Sequence, residues 1–176
     1  MANQKLTNKT SLEEQVGSGD ILMIVDVNDT SSSSSGTSKK LDFKYLMQTD
    51  KISLSNAEAQ ALNSTPKTLV GALSGYMINV YSVIMLVTYA SSTESSSNDL
   101  YAGYDNSLNT SYYKYMRDFM NGKTTSQTFT FMADNPNGGV CSTSILNKPF
   151  MLWSSAAFNG GWSAEVYVTY AYTKVL

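Results

Sequence analysis

The most regular strand pattern in the chain is VYVTYAYT, residues 166–173. Every second residue from Val166 to Tyr172 would share one face, because successive side chains of a strand point to opposite sides. A shorter alternation, QTFTF, occupies residues 127–131, and apolar runs at 76–90 and 149–158 indicate further strands. We therefore predict a mainly β fold in which residues 76–176 form a distal antiparallel β-sandwich.

A minor helical component is expected beside these strands. Five apolar residues share helical spacing: Tyr112, Tyr115, Met116, Phe119 and Met120. This stripe predicts one helix in the sandwich, capped at residue 109 or 110 and ended at 121–122. Residues 51–75 are predicted to be a short helical neck. It contains one helix capped by Ser55 and a second that begins at Thr65-Pro66 and places Leu69, Val70 and Leu73 on one face.

Residues 1–50 are predicted to be a small attachment module built on a β-hairpin. Its first strand is DILMIVDV, residues 20–27, and its second lies within residues 39–43, after a flexible loop of five serines at 31–35. Two strands alone are marginal in water, so this hairpin needs another surface to cover it. The candidate docking side chains are Leu22, Ile24, Val25, Val27, Leu41 and Phe43.

The composition excludes several kinds of chemistry. The chain has no histidine and one cysteine, Cys141, so a histidine-dependent nucleophile, a histidine zinc site and an intrachain disulfide are all excluded. With 12 basic and 14 acidic residues, nucleic-acid binding is not expected. We predict no catalytic residue, no cofactor and no metal. Cys141 is interpreted as a small buried side chain.

Acidic and aromatic residues were the remaining candidates for a site. Asp99, Asp105 and Asp118 are interpreted as loop acids, and the oxygen-rich segments 26–29 and 134–137 as turns rather than calcium loops. Trp153 is expected in the core because it lies inside an apolar strand. The candidates for surface binding are Tyr101, Tyr104, Tyr113 and Trp162. Of these, Trp162 is expected to be exposed because it follows Gly160-Gly161.

No export or membrane signal is evident in the sequence. The first residues lack the apolar stretch of a secretory signal peptide. The apolar run at 76–90 is too short and too polar for a membrane-spanning helix. We expect synthesis in a bacterial cytoplasm without membrane insertion, although the surface of neutral hydroxyl and amide groups suits a virion protein.

One segment resembles a known family. Residues 19–30, GDILMIVDVNDT, followed by GTSKKLDFKYL at 36–46, resemble a segment near the start of bacteriophage fibre and appendage proteins. The shared pattern is an upstream Leu-Thr, then GDxLxIVDVxDT, then GTxKK; the five-serine run is a departure from it. The resemblance implies a virion-proximal segment followed by a neck, a distal β region and assembly as a homotrimer.

These observations together predict a structural protein of a phage particle and not an enzyme. It would be a short trimeric head fibre, a capsid decoration protein or a tail fibre that docks on a capsid or tail protein. Its β-rich head would project toward a host-surface glycan or protein. One alternative is a virion adaptor that links other structural proteins. Another is a tail-spike polysaccharide depolymerase, which would require a longer repeated β region than the chain contains.

Overall fold

The computed structural model describes residues 21–42, 46–104, 112–131 and 145–174. Contacts divide the chain into two compact units, residues 1–46 and 47–176. In the first unit, β1 (Ile21–Asp26) pairs antiparallel with β2 (Thr37–Asp42), and Leu22 lies opposite Leu41. The predicted hairpin is therefore confirmed. Asp105, Cys141 and the turn expected at 134–139 lie outside the described residues.

The second unit consists of two four-stranded sheets and one short helix. In chain order, its elements are β3 (Gln48–Leu54), α1 (Asn56–Gln60), β4 (Lys67–Val70), β5 (Tyr76–Tyr89), β6 (Leu100–Tyr104), β7 (Tyr112–Met116), β8 (Gln127–Phe131), β9 (Phe150–Ser154) and β10 (Trp162–Lys174). The first sheet has the order β3-β10-β5-β8, and the second has the order β4-β9-β6-β7. All described strand pairs are antiparallel, which confirms the predicted mainly β, sandwich-type fold.

The alternating pattern of β10 explains its central position in the first sheet. Val166 and Val168 are fully buried, while the intervening residues are partly exposed. Along its length β10 pairs with β5, whose Val83 and Met85 are also fully buried. From the second sheet, Leu100, Phe150 and Leu152 complete the same hydrophobic core. A long strand with one apolar face thus supplies the surface on which both sheets pack.

The prediction of a helix over residues 109–120 is wrong. Residues 112–116 form β7, in which Tyr115 lies opposite Tyr101 and Met116 opposite Leu100. The chain then turns, and Asp118 and Met120 adopt left-handed backbone conformations, with φ of 49° and 63°. Such angles are incompatible with a continuing α-helix. The helical spacing of the apolar residues arose from a strand followed by a turn, and pairing with β6 outweighed it.

The residues predicted to form a helical neck instead supply β3, α1 and β4. The cap at Ser55 is confirmed: its hydroxyl accepts from the Glu58 N–H, and the Glu58 carboxylate accepts from the Ser55 N–H at 2.8 Å. The second helix is wrong, because Lys67–Val70 is a strand that pairs with β9 and buries Leu69 and Val70. Within the described ranges, no helix has the length and apolar character needed to span a membrane.

Candidate functional site

The hairpin exposes apolar side chains on both faces of β1. The exposed fractions are 75% for Met23, 42% for Ile24, 58% for Val25 and 69% for Val27. Because neighbouring residues of a strand point to opposite sides, Ile24 and Val25 mark two different exposed faces. Of the other docking candidates, Leu22 and Leu41 form a cross-strand backbone pair, but their side chains and the whole of Phe43 lie outside the described part of the chain.

One lysine closes the loop of this hairpin. Lys39 Nζ lies 3.0 Å from Asp26 Oδ2 and 2.8 Å from Asp29 Oδ2. Its hydrogen bonds hold the pKa of both carboxyl groups below the usual range, and the two carboxylates raise the pKa of Lys39. The carboxylate groups of Asp26 and Asp29 are therefore engaged by an ammonium group. The turn interpretation holds as well, since Asn28 N–H donates to Asp26 Oδ1 at 3.0 Å.

The five-serine segment folds into hydrogen-bonded turns that end at Gly36. Ser35 N–H donates to Ser33 Oγ at 3.1 Å, and Gly36 N–H donates to the Ser33 carbonyl at 3.0 Å. Gly36 has φ of +110°, and a Cβ placed on it would lie 2.8 Å from both the Asp26 carbonyl oxygen and Val25 Cγ1. Only glycine fits this position without strain. The polar residues of the hairpin thus form its closed end, and the apolar side chains from Met23 to Val27 that the structure describes remain exposed.

Two of the aromatic residues proposed for surface binding are buried. The expectation that Trp162 is exposed is wrong: it is 1% exposed and packs edge-on against Phe119 and Phe158, with centroids 5.3 Å apart in each case. It is the first residue of β10 and shares that strand's inward face. Tyr104 is 8% exposed, and its hydroxyl donates to the Ile78 carbonyl at 2.8 Å. The Tyr113 side chain lies outside the described part.

The fourth candidate, Tyr101, belongs to a row of stacked rings across three strands of the second sheet. Tyr101 lies opposite Tyr115 on β7 and opposite Trp153 on β9. Its ring centroid is 5.2 Å from that of Tyr115 and 5.6 Å from that of Trp153, with interplanar angles of 30° and 9°. Trp153 is buried as predicted, but it lies in this row and not in the hydrophobic core between the sheets.

Asp99 binds the polar end of this aromatic row. Its carboxylate accepts from the Tyr115 hydroxyl at 3.2 Å, from the Tyr101 hydroxyl at 3.5 Å and from the Asp118 N–H at 3.0 Å. Arg117 Nε also donates to the Tyr115 hydroxyl, at 3.4 Å. The structure therefore brings together two of the loop acids named above. Asp99 holds tyrosine rings in place, whereas Asp118 and Arg117 are exposed.

A buried carboxylate that sequence reasoning missed organises the neighbouring loops. Glu94 is 1% exposed, and its carboxylate accepts from the N–H groups of Asn159 at 3.0 Å and Gly160 at 2.7 Å. It also accepts from the Ser96 N–H at 3.0 Å and from the Ser96 hydroxyl. A Cβ on Gly160 would lie 2.9 Å from the Glu94 backbone. The available signal was the pair Gly160-Gly161, which indicates close backbone approach.

Three loops join around Glu94 and Asp99, and we call residues 91–99, 117–123 and 155–161 the loop cluster. The Phe119 N–H donates to the Asn98 carbonyl at 2.8 Å, and the Ser155 N–H donates to the Asp99 carbonyl at 3.0 Å. This arrangement fixes one end of the sandwich. Across the ranges that the structure describes, no three acidic, histidine or cysteine side chains are grouped closely enough to hold a metal ion.

No family model matches the chain, and no curated protein sequence matches it. Among solved structures, it is similar to a capsid chain of Helicobacter pylori bacteriophage KHP30, with 15% identity, a TM-score of 0.44 and coverage of 74% of this chain and 94% of that one. It is also similar to a chain of the cyanophage Pam1 capsid, with 12% identity, a TM-score of 0.38 and coverage of 97% and 98%. The PRD1 vertex protein P5 gives 16% identity, a TM-score of 0.35 and coverage of 99% and 91%.

Proposed function

We propose that this chain is a non-catalytic structural protein of a bacteriophage particle, present as a short homotrimeric head fibre, capsid decoration protein or tail fibre. Its hairpin docks on a capsid or tail protein, and its sandwich projects toward the host surface. The observation that carries the proposal is the exposure of apolar side chains on both faces of a hairpin whose loop is closed by polar contacts.

The exposed side chains supply the free energy for docking. Full burial of a Val, Ile or Met side chain stabilises by about 1.5–3 kcal/mol. Met23, Ile24, Val25 and Val27 together offer several such contributions. An isolated pair of strands is marginal in water, so the hairpin gains stability when a partner covers it.

The contacts of Lys39 reduce the cost of that docking. The lysine joins Asp26 and Asp29, and Gly36 allows the loop to turn back against the first strand. A binding segment held in its bound conformation loses less conformational entropy on association. All four residues belong to the pattern that resembles phage fibre proteins. The resemblance and the geometry therefore support the same role for this segment.

Virion incorporation tests the docking step directly. Phage particles would be produced with the full-length chain carrying Ile24→Asp and Val25→Asp, and its copy number per particle measured by quantitative mass spectrometry. We expect incorporation to fall at least tenfold, because charge would be buried on both faces of the hairpin. The matched control is Ser34→Asp, which adds charge at an exposed loop position. Wild-type incorporation of the double variant would refute the docking proposal.

The homotrimer is tested separately by light scattering on the purified full-length chain. A trimer has three times the 19.2 kDa mass of the chain. The trimer would be contradicted if light scattering gave the mass of a monomer at every concentration and cryo-EM density of the particle also showed single copies of the chain. Docking through the hairpin would remain to be judged by incorporation alone.

A second apolar surface favours an adaptor role as the alternative. On β5, Tyr81 is 48% exposed, and Ile84 and Leu86 are each 37% exposed. These residues lie on the side of the first sheet that faces away from the core. A protein with two apolar docking surfaces suits a link between two other virion proteins. The adaptor is favoured if Ile84→Asp prevents a second virion protein from assembling while host-cell binding is unchanged.

A further inference from the structure

The aromatic row has one end at a sheet edge. Tyr101 is covered on both ring faces, by Tyr115 on one side and Trp153 on the other. Tyr115 lies on β7, the last strand of the second sheet, and it is partly exposed. Among the described residues, Tyr101 is the only aromatic ring that contacts it. Because Tyr115 is partly exposed, part of its ring is accessible to a ligand beside the loop cluster.

Two charged side chains flank this ring. Arg117 is the only arginine in the chain, and its Nε donates to the Tyr115 hydroxyl at 3.4 Å. Within the described ranges, the terminal amino groups of Arg117 and the carboxylate of Asp118 have no hydrogen-bond partner. Both residues are exposed. The ring is thus flanked by the exposed guanidinium of Arg117 and the exposed carboxylate of Asp118.

We infer that Tyr115, Arg117 and Asp118 form a carbohydrate subsite for a neutral hexopyranose. A pyranose ring presents an apolar C–H face that suits an aromatic ring, and its hydroxyl groups both donate and accept hydrogen bonds. The charged groups described in contact with Tyr115 or with the turn that follows it are one guanidinium and the carboxylates of Asp99 and Asp118, a net of one negative charge. That balance disfavours sugars carrying a carboxylate or sulfate.

The subsite is built on rigidly held groups. The Asp99 carboxylate accepts from the Tyr115 hydroxyl and the Asp118 N–H, so it holds ring and turn together. Asp118 has φ of 49°, and its N–H donates to Asp99 Oδ1 at 3.0 Å. Preorganised groups lose little entropy when a ligand binds. The inference deepens the proposed function by assigning a ligand class to the projecting sandwich.

A glycan array probes this subsite with the purified full-length chain. The array would carry neutral hexose, uronic-acid and sialylated oligosaccharides, and isothermal calorimetry would then measure the affinity for the strongest of them. We expect neutral hexose glycans to dominate. Because the measurement uses the chain in solution, its failure would leave virion docking through the hairpin intact.

Matched variants locate the binding. Tyr115→Ala is expected to weaken affinity about tenfold, since one aromatic contact is lost. Arg117→Gln should weaken it severalfold, and Tyr115→Phe should retain stacking. The control is Tyr81→Ala, which removes an exposed tyrosine from the other sheet and should leave affinity unchanged. If Tyr115→Ala fails to fold, the affinities of the Arg117→Gln and Tyr115→Phe variants decide whether the glycan binds at this ring.

Each remaining outcome overturns the inference. Absence of binding to every glycan on the array would reject a carbohydrate subsite. Binding of only acidic glycans would reject the neutral class. Equal affinity of the wild type and the folded Tyr115→Ala and Arg117→Gln variants, or an equal loss with Tyr81→Ala, would place binding elsewhere on the molecule.

Discussion

The hairpin and the sandwich use similar apolar strands in opposite ways. In β10 the apolar residues alternate with polar ones, and Val166 and Val168 are fully buried. In β1 the apolar residues are consecutive, and Val25 is 58% exposed. Alternation suits a strand that one sheet covers, whereas a consecutive run suits a strand covered on both faces. The comparison supports the proposal that a partner covers β1.

The largest expected effect is on the core of the sandwich. Phe150 is fully buried between the two sheets, so Phe150→Ala should destabilise the second unit by about 3–5 kcal/mol. Val27→Ala in the hairpin should change the free energy of unfolding by less than about 0.5 kcal/mol. Urea unfolding followed by tryptophan fluorescence measures the effect of each variant on the sandwich, which contains both tryptophans, and amide hydrogen exchange in β1 and β2 measures the effect on the hairpin. A comparable loss in the two variants would invalidate the contrast.

The loop cluster is expected to show the next largest effect. Glu94→Gln replaces a carboxylate oxygen with an amino group that faces N–H donors, at a cost of about 1.5–3 kcal/mol. The control is Glu165→Gln, which alters a partly exposed acid paired with Lys51 and should have little effect. Thermal unfolding of both variants provides the comparison. Equal stability of the Glu94 variant and the wild type would mean that the loop cluster is held by other contacts.

A smaller and local effect is expected in the hairpin. Gly36→Ala places a methyl group 2.8 Å from the Asp26 carbonyl oxygen at a left-handed φ, a strain of about 1–3 kcal/mol. Amide hydrogen exchange should accelerate in β1 and β2 while thermal unfolding of the sandwich stays the same. Gly71→Ala is the control, because nothing lies within 4 Å of its added Cβ. Unchanged exchange in β1 would indicate that the loop relaxes freely.

The smallest expected effect is on the stability of the sandwich at acidic pH. The Lys67 ammonium, 2.5 Å from Glu58, together with the cap at Ser55, lowers the pKa of Glu58 from 4.5 to about 2. A lowered folded-state pKa means that this stabilisation is present above pH 4.5 and is lost as the pH falls toward 2. Glu58→Gln should therefore reduce the pH dependence of sandwich unfolding within that window. An identical pH profile for the variant and the wild type would show that the pair contributes nothing.

Strands with one periodicity were predictable from the sequence, and residues whose role depends on distant partners were not. The alternation at 166–173 and 127–131 identified β10 and β8, and the Ser55 cap identified α1. The tyrosine-rich segment 112–116 had helical spacing, but its state depended on a register with β6 that no local pattern records. In this segment, and likewise in β4, pairing with a strand that is distant in sequence determined the secondary structure.

The candidate site was only partly predictable for the same reason. Tyr101 was identified by its residue type, while Tyr115 was assigned to a helix and Trp162 to the surface. Burial of Trp162 depends on which face of β10 points inward, and that register became visible only with the whole sheet. Glu94 lies in a serine-rich segment, and its donors are 65 and 66 positions away in sequence, so nothing local distinguished it from a solvated acid.

The loop cluster has a consequence for the conditions in which the molecule keeps its form. The Glu94 carboxylate is held by main-chain N–H groups and a hydroxyl, and no lysine or arginine in the described part of the chain forms an ion pair with it. Dissolved ions screen attraction between opposite exposed charges, but they have little influence on a buried carboxylate among uncharged donors. This end of the protein should therefore keep its architecture equally well in dilute and in saline media.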